Sequence, residues 1–303
     1  GGKSMWKAEV LCHSKGTTHG RELISILATY PRFIHSEFLT HRDRARSSAS
    51  SRAIPWKKYD KHGVLQQNCM YYQIKHNPFV PEFWGKEQSG MQSGEELTGQ
   101  EREDAISEWL QARDLALEQA DTLYEMGIHK SLVNRLTEPF MWISVIYTAT
   151  EWKNFFRLRC HPAAEKHFQK IANMVRDAIN ASTPMILQPG ELHTPFWDTQ
   201  SASELAEAID KGVLNSSLGY DFWKKRISAG RSCRISFMTH ENKRDIFADI
   251  KTAATLIERS DDVIHAAALE HVATCHEDGN HRSGPFFGFH QFRKEFPQEN
   301  IPG

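Results

Sequence analysis

The 303-residue chain carries 37 Lys and Arg against 38 Asp and Glu, a formal net charge of −1, and 40% hydrophobic residues. That balance supplies ample core for one domain and excludes a global field that would press the protein onto nucleic acid or an anionic membrane. The longest apolar run, Pro139 to Ala149, is too short to span a bilayer. The 5 cysteines are scattered with no C-x-x-C, neither end has a signal-peptide pattern, and Gly1-Gly2-Lys3-Ser4 before Met5 reads as an expression remnant. We therefore expect reduced thiols in a cytoplasmic protein.

In chain order, residues 20–30 have apolar spacing that suits a helix running into Pro31. The Pro/Gly/Gln-rich stretch 78–101 reads as a long, mobile loop. Residues 102–128 read as an amphipathic helix, with Ile106, Trp109, Leu110, Leu115, Ala116, Ala120, Leu123 and Met126 at helical spacing. Phe140 to Thr150 is β-branched and aromatic, the pattern of a buried strand. Glu151 to Arg159 and Ala163 to Ile179 read as helical, and residues 184–202 as a second polar, mobile loop. Ser232 to Met238 alternates like a strand, Asp245 to Ile257 reads as a helix, and a His-containing polar loop lies at 276–283. The fold class expected is α+β, a mixed or antiparallel sheet wrapped by long helices in a single domain over 1–303.

Three segments carry chemistry. Residues 37–54 bring Glu37, His41, Arg42, Ser50, Ser51 and Arg52 together between apolar flanks. Guanidinium forks, hydroxyls and backbone N–H groups suit a phosphate or carboxylate, although a solvated Arg/Ser linker has the same composition. The second segment holds Asn134-Arg135-x-x-Glu138-Pro139, then Thr148 through Arg159; if the latter part is helical, Glu151, Asn154 and Leu158 share one face. The third joins Cys233 to Phe237, His265 to His271, and Gly284 to Lys294. No G-x-G-x-x-G, no G-x-x-x-x-G-K-[ST] and no G-x-S-x-G is present. His271, Cys275, His276 and His281 can be read as zinc ligands, but C-x2-C and H-x3-H pairs are absent, and no metal is expected.

His41-Arg42-x7-Ser50 closely resembles the signature of flavin-dependent thymidylate synthases, usually written Arg-His-Arg-x7-Ser, with Thr40 where the first Arg usually stands. The segment ending Asn154-x-x-x-x-Arg159 is similar to that family's flavin- and pyrimidine-contacting stretch. The third segment resembles its "cys-Ala-Arg-val-Ser-Tyr" and "His-x-Ser-Pro-Phe-Glu-His" blocks, with Ala267-Ala268 replacing Ser-Pro. Many relatives place that block before the His-Arg-x7-Ser motif. Here it follows, like a longer, rearranged branch, and the resemblance runs from about Glu22 to Asn300.

The resemblance implies the family fold, with FAD held by His41, Arg42, Asn154, His265 and Glu270. It implies a pyrimidine nucleotide held by Glu37, Ser50, Ser51, Arg52, Arg135 and Arg159. It further implies methylenetetrahydrofolate and NADPH as co-reactants, and a homotetramer that shares each site between subunits. Arg159 is the candidate that polarises the ring carbonyl. Ser50 is the tempting nucleophile, yet without a partner base at the right spacing it reads as a ligand of phosphate or ring. The expected activity is reductive C5-methylation of dUMP to dTMP. Thr40, Glu37 and Ser48, where other residues are usual, keep UMP or dCMP open as the acceptor. From another class, the basic 42–52 run and the aromatic residues keep a non-enzymatic nucleotide- or RNA-binding protein open.

Overall fold

The structure, a computed structural model, describes residues 5–48, 50–234, 245–258 and 267–300. Its elements are β1 (Lys7–Gly16), β2 (Glu22–Pro31), α1 (His35–Phe38), β3 (Ala45–Ser48), α2 (Met70–His76), α3 (Gly99–Glu125) and α4 (Lys130–Val133). There follow β4 (Trp142–Ala149), α5 (Lys153–Arg159), α6 (Lys166–Ala181), β5 (Met185–Leu187), β6 (Leu192–His193), α7 (Thr199–Asp210), α8 (Tyr220–Arg234) and α9 (Ile246–Glu258). The chain closes with β7 (Ala273–Cys275), β8 (Arg282–Ser283), β9 (Phe286–Phe287) and β10 (Phe289–Gln291). The class is α+β.

A five-stranded mixed sheet in the order β3-β4-β2-β1-β5 is the frame. All its pairings are antiparallel except β1 with β5. Strand β2 lies at its centre, and its odd and even positions face two differently built layers. Ile24, Ile26, Ala28 and Tyr30 join Ile143, Val145, Tyr147 and Ala149 of β4 against Phe38, Phe155, Phe168, Ile171 and Val175. Burying each of those aromatics contributes about 2–3 kcal/mol. The opposite face presents Ser25, Thr148 and Ser47, beside Leu23 and Ala45, to β6, β7, β10 and the turn Ala267–His271.

The helix expected over 20–30 is thus the strand β2. Leu23, Ile24, Ile26 and Leu27 do fall at helical spacing. A strand buried on both faces, however, also reads as a continuous apolar run, and periodicity cannot separate the two. The strand expected over 232–238 is also corrected at its start: Ser232, Cys233 and Arg234 are the last turn of α8, and residues 235–238 lie outside the described residues. Here α8 packs on α9 so closely that a Cβ on Gly230 would sit 2.1 Å from the Asp249 carbonyl oxygen. The buried Asp249 carboxylate, 2.9 Å from Arg231 Nε and 2.7 Å from Arg234 Nη2, then fixes the pair.

Elsewhere the expected elements stand. The helix read over 102–128 is α3, which buries Leu117 and Ala120 against Ile54, Trp56, Met70 and Ile74. It ends where Gly127 takes φ 82° and Ile128 N donates to Leu123 O at 3.0 Å, a left-handed C-terminal cap. The strand read over 140–150 is β4, and the helices read at 151–159, 163–179 and 245–257 are α5, α6 and α9. The loop read at 184–202 contains the short strands β5 and β6 and the start of α7.

Candidate functional site

The turn from α1 to β3 places the motif. Phe38 stacks on Tyr30 and packs against Phe168, anchoring the chain just before His41. Arg46 Nη1 donates to the His41 carbonyl at 3.1 Å and closes the turn. His41 is 8% exposed and sits edge-on to Phe155. Its Nε2 accepts from Arg159 Nε at 2.9 Å. Burial, then the Arg44 and Arg159 cations, lowers its pKa to about 4, so it is a neutral acceptor at pH 7.

Arg159, at the end of α5, is oriented from four sides. Besides His41, its Nη2 donates to Thr40 Oγ1 at 3.3 Å, its Nη1 lies 3.7 Å from Glu37 Oε2, and its guanidinium lies 4.5 Å over the Phe168 ring. Thr40 Oγ1 itself donates to the Glu37 carbonyl at 2.7 Å. Burial, and then Glu165, raises the Glu37 carboxyl above its ordinary value, with Arg159 opposing.

Beyond this cluster the same turn lines an open cavity of about 660 Å³. One wall is residues 42–46; the other comes from the chain end, with Glu270, Arg282, Phe287, Gln291, Arg293 and Lys294. Arg44 is the most constrained of its cations. Its side chain is 1% exposed, with Nε and Nη2 on Asp43 Oδ1 at 2.9 and 2.7 Å. Its guanidinium lies 4.9 Å over Trp152 and 4.5 Å over Phe155. Its Nη1 is buried without a hydrogen-bond partner. A buried guanidinium N–H left unpaired is costly, and an anion that reached it would offset that cost. Glu270 pairs with Arg293, and burial raises its carboxyl above the ordinary range.

The remaining expected residues lie apart from this cavity. Asn154 is exposed on α5, where its Oδ1 accepts from Arg157 Nη2 at 3.2 Å. Ser51 Oγ donates to Glu138 Oε1 at 2.6 Å, and Asn134 Nδ2 fastens the turn by donating to the carbonyls of Ser51 and Ile54. Ser50 and Ser51 line a small crevice with Arg32, while Arg52 is exposed. Arg135, also exposed, donates to the Ser131 carbonyl at 3.1 Å. His265 lies outside the described residues. The structure thus joins Glu37, His41 and Arg159 in one cluster, and Arg42 and Glu270 in the adjoining cavity. Ser50 and Ser51 form a third group.

Sequence reasoning passed over Arg44, Arg46, Arg282 and Arg293. For the first two a signal existed: Arg42, Arg44 and Arg46 alternate with period two as the chain enters β3. Arg282 and Arg293 gave none, because only the tertiary fold brings them to the motif.

No family model matches the chain, and no curated protein matches it. Among solved structures it is similar to the UMP/dUMP methylase PolB from Streptomyces cacaoi bound with 5-Br UMP. The TM-score is 0.43 at 13% identity, over 59% of this chain and 96% of that chain. For the same protein bound with 5-Br dUMP the TM-score is 0.44 at 13% identity, over 58% of this chain and 90% of that chain.

Proposed function

We propose that this chain methylates C5 of a pyrimidine nucleoside monophosphate, converting dUMP to dTMP, with FAD, methylenetetrahydrofolate and NADPH as its co-reactants. The observation that supports this most is the meeting of two segments of family-like motif. The His41-Arg42 turn and the Glu270 segment face one cation-lined cavity, and Arg159 is docked on His41 beside it. The residues suit a phosphate-bearing cofactor, because Arg44 keeps a buried N–H without a partner at that cavity. A reduced flavin, when bound, supplies the hydride that such a methylation consumes.

The chain's own groups have definable tasks in this reading. Neutral His41 accepts from Arg159 Nε while Thr40 and Glu37 face its Nη2 and Nη1, which leaves each terminal nitrogen a second N–H to donate to a pyrimidine carbonyl as negative charge develops. Arg42, Arg44 and Arg46 hold phosphate oxygens, a task for planar forks. Burial pushes the thiols of Cys12, Cys160, Cys233 and Cys275 up, away from the thiolate form. UMP as acceptor is a second reading, favoured by Thr40, which puts a hydroxyl where the family carries a cation. Tritium release from C5-labelled dUMP, UMP and dCMP, with and without FAD, tests the proposal. Release that requires FAD and favours dUMP supports it; no release from any of the three refutes it.

A further inference from the structure

Behind the cavity, the polar face of the sheet holds a continuous line of hydroxyls and imidazoles. Ser47 Oγ lies 2.9 Å from His271 Nε2, and His271 Nδ1 lies 2.8 Å from Thr148 Oγ1. Thr148 Oγ1 lies 2.7 Å from Ser25 Oγ, which lies 2.8 Å from His193 Nε2, and His193 Nδ1 lies 2.8 Å from Ser14 Oγ. Ser14, Ser25, Thr148, His193 and His271 are all 0% exposed, and Ser47 is 7% exposed. The line draws on five strands and the turn Ala267–His271, and its members come from widely separated parts of the chain. Burial keeps both imidazoles neutral, His193 also feeling His271 and His13, each with a pKa lowered to about 3.

Proton counting restricts such a line. A neutral imidazole has one N–H and one bare nitrogen, and a hydroxyl has one proton to give. If His271 carries its proton on Nδ1, Thr148 must accept it and give its own proton to Ser25. Ser25 must then give its proton to His193 Nε2, so His193 also carries its proton on Nδ1. If His271 is Nε2–H, Thr148 donates back to it and Ser25 donates to Thr148. His193 Nε2–H must then supply Ser25. Mixed tautomers leave either one contact without a proton or one buried hydroxyl proton without an acceptor, since among the described residues Ser25 and Thr148 have no side-chain partners besides the line itself.

We propose that His271 and His193 are one two-state relay, both Nδ1–H or both Nε2–H, and that this relay holds the two walls of the cavity together. Ser47 follows Arg46 on one wall, and His271 follows Glu270 on the other, so the Ser47–His271 contact at one end of the relay joins two residues that are each one position from a group lining the cavity. His271 and His193 are positioning residues in this account. The inference does not depend on what fills the cavity.

The test is histidine NMR with 15N- and 13C-labelled imidazoles, which distinguishes Nδ1–H, Nε2–H and the cation. In the wild type both rings should report the same tautomer. Ser14→Ala removes the partner of His193 Nδ1, and an orphaned N–H is the worse vacancy, so both rings should become Nε2–H. Ser47→Ala removes the partner of His271 Nε2 and should drive both rings to Nδ1–H. Thr148→Val cuts the line between the rings, after which Ser14→Ala should leave His271 unchanged. A merely structural role predicts no response at the remote ring. Opposite tautomers in the wild type, a cationic ring at neutral pH, or an end substitution felt only by the nearer ring would overturn the proposal. The wild-type comparison stands even if a variant does not fold.

Discussion

Arg44→Met isolates the charge that the cavity reading depends on. Methionine keeps an apolar, polarizable stem against Trp152 and Phe155, and removes the guanidinium that lies within 5 Å of both rings. Asp43 is 37% exposed at its side chain and stays hydrated when its partner goes, so the fold should lose only about 1 kcal/mol, chiefly the cation–π contact. Binding should lose more. Nη1 of Arg44 is buried without a hydrogen-bond partner, and a charge-assisted bond from it to a phosphate would be worth about 1.5–3 kcal/mol. At about 1.4 kcal/mol per tenfold, the Kd for FAD should rise roughly 10- to 150-fold. Titration by flavin fluorescence, beside a thermal melt of each protein, separates the two effects. A smaller rise is expected for Arg42→Met, whose side chain is solvent-exposed and screened. Affinity for FAD within about threefold of wild type, in an Arg44→Met protein of unchanged melting behaviour, would refute the assignment.

Arg159→Ala should leave bound flavin nearly intact and lower turnover by about a hundredfold, the usual scale for one transition-state donor; steady-state turnover within about threefold of wild type would return Arg159 to a helix-capping role. Acid should destabilise the fold through His193 and His271. Their folded pKa values near 3 lie below the ordinary 6.5, so the unfolded chain takes up protons first. Stability is therefore full above pH 6.5 and falls as pH drops toward 3, by roughly 1 kcal/mol per pH unit for each ring. Urea midpoints that do not move between pH 7 and 5 would contradict this. Gly230→Ala should break the α8–α9 contact, since its Cβ would meet the Asp249 carbonyl carbon and oxygen at 2.7 and 2.1 Å. We expect a loss of several kcal/mol, read as a melting shift of 5 °C or more at about 2–4 °C per kcal/mol, and an unchanged melt would show that the helices separate freely.

Where one face of an element is buried and the other wet, its pattern was readable: α3, α6 and α9 carry their apolar residues at helical spacing. The strand β2 defeats that reading because both its faces are covered. The end of α8 defeats it because Arg234 is held by Asp249 of α9, a tertiary partner with no local signature. The site divides the same way. His41, Arg42 and Glu270 could be named from short motifs, whereas the pairing of His41 with Arg159 spans 118 residues and the pairing of Glu270 with Arg293 depends on the folded tail. The His271 relay had no legible signal, since each of its hydroxyls sits in a strand that reads as ordinary β structure.

The central claim is that the cavity between residues 42–46 and 270–299 takes a flavin. Titrating the purified chain with FAD, while recording flavin fluorescence and the visible spectrum, tests it most directly. Stoichiometric binding, with quenched fluorescence and a perturbed absorbance band that weakens in Arg44→Met, is the predicted result. A wild-type chain that leaves the fluorescence and spectrum of free FAD unchanged would contradict the account.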